Sequence, residues 1–206
     1  MIGYYNYTVI LTYIGMLFGF AGITCVWSGS LKTALVCLMA AGLCDMFDGK
    51  IASTMTRTRQ EKRFGIQIDS LSDLVCFGVL PALVVFRCSG GGFLHIFVPA
   101  FYLLCALIRL AWFNVDEEDR QDQEKTGREA YLGLPVTTSA LLLPFFVGSP
   151  QLLKLPLDKL CPWVLLSIAI AFLSPFCLKK PRARGKLLMI LFGAATLALV
   201  LAGVKV

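Results

Sequence analysis

Histidine is almost missing from this chain: His95 is the only one in 206 residues. It falls near the outer end of an apolar run, far from the acidic residues, so acid–base chemistry has to rest on other side chains. The CxxC pairing typical of zinc ribbons and thiol redox motifs is also missing, although there are eight cysteines. Cys25, Cys37, Cys44, Cys76, Cys88, Cys105, Cys161 and Cys177 sit in or beside apolar runs, where a thiol packs as a small apolar group, which argues against a disulfide framework. No internal repeat and no linker long enough to separate domains is present, so residues 1–206 are expected to form one domain. No basic segment precedes the first apolar run and no cleavage site follows it, which predicts a retained first helix rather than a removed signal peptide. Nothing in the charge pattern points to nucleic acid. The acidic run DEEDRQDQE has no calcium-loop spacing and is expected to be a solvated connector.

What the chain has in excess is apolar sequence. Hydrophobic residues make up 57%, against about 45 to 50% in soluble domains, and the fold class expected is an all-α integral membrane protein. Stretches near the ~20 residues that span hydrocarbon predict a polytopic bundle of about seven transmembrane helices. They lie over 8–27, 31–55, 65–87, 93–114, 133–148, 160–178 and 186–204. With the N-terminus inside, twelve of the 19 lysines and arginines fall in inner connectors and five in outer ones, which sets that orientation. The net charge of +6 suits a leaflet of anionic lipid.

The chain is organised around residues 45–73, DMFDGKIASTMTRTRQEKRFGIQIDSLSD. Asp45 and Asp48 are three apart and Asp69 and Asp73 four apart, so each pair projects from one face of its helix. Carboxylates at membrane depth are costly unless paired or metal-bound, and two facing pairs make a cluster of hard oxygen ligands suited to Mg²⁺ or Mn²⁺ over Zn²⁺. Two such ions about 3.5 to 4 Å apart clamp a phosphate for in-line attack. Gly49, Ala52 and Gly65 leave room for a ligand near the backbone, or simply let helices approach closely.

The pattern Asp45, Asp48, Gly49, Ala52, Gly65, Asp69, Asp73 resembles the signature of the CDP-alcohol phosphotransferases, D-x2-D-G-x2-A-R, then a spacer, then G-x3-D-x3-D. The resemblance implies a six-helix core of that family and a membrane enzyme that displaces CMP with an alcohol, using two Mg²⁺ or Mn²⁺ ions on the cytoplasmic side. By the same resemblance Asp45, Asp48, Asp69 and Asp73 hold metal, and Asp73 also deprotonates the incoming hydroxyl. Asp48, Gly49, Ala52 and Gly65 receive the cytidine nucleotide. Two departures stand out: Ser53 replaces the family's arginine, and the spacer 54–64 is longer than usual. Arg57, Arg59 and Lys50 are candidates for the missing cation.

The segments IDSLSDLVCFGVLPA, IRLAWFNV and YLGLPVTTSALLLP are similar to those of phosphatidylserine synthases. This implies CDP-diacylglycerol and L-serine as substrates, a homodimer, and residence in a bacterial or archaeal cytoplasmic membrane with the site facing the cytoplasm. Arg109 either forks onto the acceptor's carboxylate or snorkels or pairs with a motif acid such as Asp73, and Asn114 lies beside it. Gly133 and Pro135 are expected to shape the chain's re-entry into the membrane. The basic run 179–186 reads as an orientation signal, a lipid-phosphate surface or a dock for the donor's pyrophosphate. Three other readings remain open: another acceptor such as glycerol 3-phosphate or an inositol phosphate, a divalent-cation transporter, and a non-catalytic helical scaffold.

Overall fold

The computed structural model describes residues 3–122, 130–153, 156–179 and 183–203. A 3-10 turn, Tyr7–Val9, leads into α1, Ile10–Trp27, followed by α2, Leu31–Ala52. Helix α3, Arg59–Asp73, continues through a π turn, Leu74–Val79, into α4, Leu80–Cys88, as one rod of 30 residues. Then come α5, Phe93–Asp122, α6, Ser139–Leu153, α7, Leu157–Leu173, and α8, Ala183–Gly203. Two short strands, β1, Ala130–Leu132, and β2, Cys177–Lys179, pair antiparallel. They join the α5–α6 connector to the α7–α8 connector.

The fold is an all-α membrane-protein fold. Among the described residues Tyr7–Trp27, Arg59–Cys88 and Phe93–Arg120 are long and apolar enough to cross a membrane, and Val136–Ser149 and Leu187–Gly203 are shorter apolar helices. Large apolar side chains such as Leu17, Phe20, Leu71, Leu104, Trp163 and Leu188 are exposed, as lipid-facing surfaces require. Lipid is as apolar as leucine, so helices associate through close packing of small residues. On α1 the buried glycines 15, 19 and 22 supply that face. A Cβ at Gly19 would lie 2.4 Å from Cys76 Sγ, and one at Gly22 2.6 Å from Leu80 Cδ2.

Element ends differ from the sequence expectation for physical reasons. The third helix begins at Arg59 rather than 65, because Thr58 and Glu61 form a capping box: Glu61 N–H donates to Thr58 Oγ1 at 3.2 Å and Thr58 N–H to Glu61 Oε2 at 2.8 Å. The fourth helix runs to Asp122 rather than 114, so the first seven residues of the acidic run are helical, with Arg120 paired to Glu117 one turn back. At 30 residues and 1.5 Å per residue, α5 is about 45 Å long and outreaches a hydrocarbon core of about 30 Å. The chain after Leu173 leaves the helix to form β2. Lys125, Arg128, Lys154, Lys180, Arg182 and Lys205 of the charge pattern lie outside the described residues, as does the whole link between Lys179 and Ala183.

Pro81 explains a buried knot at the centre. It has no N–H to give a carbonyl one turn back, and the carbonyl of Phe77 instead accepts from Tyr102 Oη at 2.6 Å and Ser139 Oγ at 3.4 Å. Tyr102 and Ser139 are fully buried, so α5 and the start of α6 are tied to the π turn that follows Asp73. Tyr102→Phe leaves that carbonyl with the long serine bond alone, and should cost about 1 to 2 kcal/mol. The check is the thermal unfolding midpoint in detergent, which should fall; an unchanged midpoint would remove Tyr102 from the account of stability.

Candidate metal and catalytic site

The two aspartate pairs meet. Asp45 and Asp48 project from the last two turns of α2, and Asp69 from the penultimate turn of α3. One carboxylate oxygen of each lies within 4.8 Å of the others. Asp73 stands one turn on and lines the same cleft, with Thr12, Gly15, Cys44 and Cys76, but is outside that three-carboxylate group. Among the described residues no lysine or arginine pairs with any of the four aspartates.

Each placement has a local cause. Helix α2 stops at Ala52 because the Ser53 and Thr54 hydroxyls donate to the carbonyls of Lys50 and Ile51, both at 2.7 Å. That leaves Asp45 and Asp48 one to two turns from a helix end. Helix α1 supplies the third wall: buried Thr12 donates to Asp48 Oδ2 at 3.5 Å, Ser72 Oγ to the Thr12 carbonyl at 3.5 Å, and Cys76 Sγ to the Gly15 carbonyl at 3.4 Å. Helix α3 is held to α5 by a polar ladder in which Ser70 donates to Asn114, Asn114 to Gln67 at 3.4 Å, and Gln67 to Glu118 at 3.0 Å. This ladder sets the pitch of the face carrying Asp69 and Asp73.

The donor set fits a divalent cation. Three carboxylates this close, with Asp48 and Asp69 in contact with each other, gather negative charge that protein cations do not balance, and all-oxygen ligation suits a hard ion. Their partial burial, down to 9% exposure at Asp48, keeps solvent from screening that charge.

The remaining candidates separate. Gly49 faces open space, with nothing within 4 Å of an added Cβ, whereas a Cβ on Gly65 would meet Arg57 Nη1 at 3.1 Å. Ala52 is half-buried, and Lys50 and Arg59 are exposed. Arg109 is buried, does not pair with Asp73, and its Nε donates to the carbonyl of Leu134 at 3.3 Å. It thereby secures the loop at Gly133, whose φ of +78° and whose approach to the Phe172 and Ser174 carbonyls leave no space for a side chain. Asn114 belongs to the ladder. His95 stacks on Phe86 with ring centroids 4.1 Å apart, away from the acids. All eight cysteines are free.

Sequence reasoning missed Thr12, the ladder, and an N-terminal strap over the α2–α3 connector. In that strap Tyr4 Oη donates to Gln60 at 2.7 Å and Asn6 to Glu61 at 3.3 Å, and Tyr7 Oη bonds Thr54 Oγ1 at 3.0 Å. Only the T-x-x-E spacing at 58–61 was a readable local signal; the other contacts join residues more than 35 apart.

Comparison with known proteins identifies the family. The family described as CDP-alcohol phosphatidyltransferase matches residues 5–176. The chain is 39% identical over 105 residues to a CDP-diacylglycerol–serine O-phosphatidyltransferase of Saccharomyces cerevisiae, covering 50% of this chain and 37% of that protein. It is 31% identical over 129 residues to the archaetidylserine synthase of Methanothermobacter thermautotrophicus, covering 62% and 52%. With a Helicobacter pylori CDP-diacylglycerol–serine O-phosphatidyltransferase it shares 29% over 121 residues, covering 57% and 47%. The matched segments thus span about a third to a half of these curated relatives.

Proposed function

The chain belongs to the CDP-alcohol phosphatidyltransferase family, and on that premise we propose that it transfers the phosphatidyl group of CDP-diacylglycerol to the hydroxyl of L-serine, giving phosphatidylserine and CMP. The observation that carries this reading is the gathering of Asp45, Asp48 and Asp69 within 4.8 Å at one cleft, with Asp73 lining it. The serine acceptor is supported by the names of the relatives, all of which contain serine.

Asp45, Asp48 and Asp69 would hold the divalent ions, two Mg²⁺ or Mn²⁺ in this reading, with Asp73 at their edge. Bound there, such ions neutralise charge on phosphoryl oxygens. Asp73 accepts the proton of the serine hydroxyl, whose oxygen bonds to the phosphorus next to diacylglycerol as the bond from that phosphorus to the CMP oxygen breaks. The proton ends on Asp73 and the electron pair of the broken bond leaves with CMP. Of the cleft's possible nucleophiles, Ser72 Oγ and Cys76 Sγ are turned onto the Thr12 and Gly15 carbonyls, and in this reading displacement is direct. Gly49 and Ala52 leave the nucleotide space beside Asp48. The Arg109-secured loop at Gly133 and the Asn114 ladder position α5, α6 and α3 around this space. In the orientation with the N-terminus inside, the site opens to the cytoplasm, the donor's chains enter from lipid, and a homodimer is the expected assembly.

The test is CMP release by purified protein in detergent with Mn²⁺ or Mg²⁺, offering L-serine, glycerol 3-phosphate or inositol phosphate in turn. Release with serine alone is the expected result. Release only with another acceptor would retain the chemistry and discard the serine assignment, while no release under any condition would return the site to the transporter or scaffold readings.

A further inference from the structure

Arg57 is a cation whose guanidinium has no hydrogen-bond partner among the described residues, with the Glu61 carboxylate near enough to feel its charge. Its guanidinium makes no hydrogen bond or ion pair with any described residue, and its Nε is buried with nothing to donate to. A guanidinium carries five donors, and leaving a buried one unmade is unfavourable. The side chain is nevertheless not adrift. Its Nη1 lies against the bare backbone at Gly65, 3.1 Å from where a Cβ would stand, one helical turn before Asp69.

The backbone on both sides of Arg57 is fixed. Thr58 is locked in the capping box with Glu61, and Thr54, Gln60 and Glu61 are bound by Tyr7, Tyr4 and Asn6 of the N-terminal strap. The longer connector is therefore held in one shape, and that shape lays the arginine on α3. At the end of α2 the position of the expected basic residue is Ser53, whose hydroxyl is turned back onto the Lys50 carbonyl. Lys50 itself is exposed.

We propose that Arg57, laid over Gly65 by the strapped connector, binds the CMP-side phosphate of the cytidine diphosphate donor. This deepens the reading under Proposed function and rests on it. A pyrophosphate donor brings two charged phosphates. The carboxylate cluster and its ions attend the one under attack, so the other needs a cation that the carboxylates have not captured. Arg57 meets that requirement, because the nearby Glu61 carboxylate takes its hydrogen bonds from Asn6 and Thr58 and leaves the arginine's planar fork free to match a phosphate edge. Gly65 then serves to admit the guanidinium, and Gly49, open on the facing helix, admits the nucleotide.

The test is CMP titration of the purified protein in detergent with Mn²⁺ and no serine, for wild type, Arg57→Ala, Arg57→Lys and Lys62→Ala. Arg57→Ala should weaken CMP by about tenfold to a hundredfold and raise the donor KM by a similar factor, with Arg57→Lys between. Exposed Lys62 controls for net charge, and its variant should stay within about twofold. Cytidine, which has no phosphate, should not distinguish wild type from Arg57→Ala. Because Arg57 holds no bond in the fold, its removal should leave the unfolding midpoint in place. Equal CMP affinity in wild type and Arg57→Ala, an equal loss in Lys62→Ala, or a change in the serine KM alone would each overturn the assignment while leaving the proposed reaction standing. Failure of the wild type itself to bind CMP would overturn the reaction, and Arg57's role with it.

Discussion

Asp73→Asn is expected to lower serine-dependent CMP release by about a thousandfold, within the range spanned by positioned acid–base groups, while leaving Mn²⁺ bound. Asparagine keeps the volume and polar outline of the side chain but takes up no proton at neutral pH. The oxygens of Asp45, Asp48 and Asp69 already form a compact set; Asp73 lines the same cleft outside it. A variant that has lost the base but kept the ligands should show a fall in kcat with little change in Mn²⁺ affinity. Parallel measurement of turnover and of Mn²⁺ affinity, by titration of the free ion's paramagnetic signal, separates the roles. Full turnover in the variant would refute the base. Loss of metal together with turnover would make Asp73 a fourth ligand, as the signature also implies.

The membrane class and the aspartate pairs were legible because both depend on local pattern. Apolar runs near the length of the hydrocarbon mark helices, and residues three or four apart share a helix face whatever lies around them. That the two faces meet was inferred from the unfavourable burial of unpaired carboxylates. Helix ends were less legible where solvated polar helix continues an apolar one. The first six residues of α3, RQEKRF, and the last turns of α5 are charged, and apolarity marks only the part of each helix that lipid touches. Partners distant in sequence were not legible at all. Thr12 reads as one more polar residue in an apolar helix until α1 packs on α2 and its hydroxyl reaches Asp48. Arg109 illustrates the same point: its fork was equally compatible with a substrate carboxylate and with structural pairing, and the 133–135 loop that its Nε secures is fixed by Gly133 and the end of α7.

Asp48→Asn is expected to abolish activity and yet stabilise the metal-free protein. Three carboxylates within 4.8 Å repel one another, where ionised, by at most about 3 kcal/mol per pair at an effective dielectric near 20, an upper limit that solvent and a proton shared between Asp48 and Asp69 both reduce. Neutralising one member removes two of the three repulsions, and asparagine still offers Thr12 an acceptor. With EDTA present the variant should therefore unfold a few degrees above wild type, since about 1 kcal/mol moves the midpoint of a chain this size by about 2 to 4 °C. With saturating Mn²⁺ the order should invert, because wild type gains the free energy of an ion that only its native state binds. Differential scanning of both proteins in both conditions gives four midpoints and one crossing. A variant less stable than wild type in EDTA would mean that Asp48 is held by favourable contacts rather than tolerated against repulsion, and the cluster would be structural. A crossing identifies the opposite case: a carboxylate whose charge strains the empty fold is retained for the cation it holds.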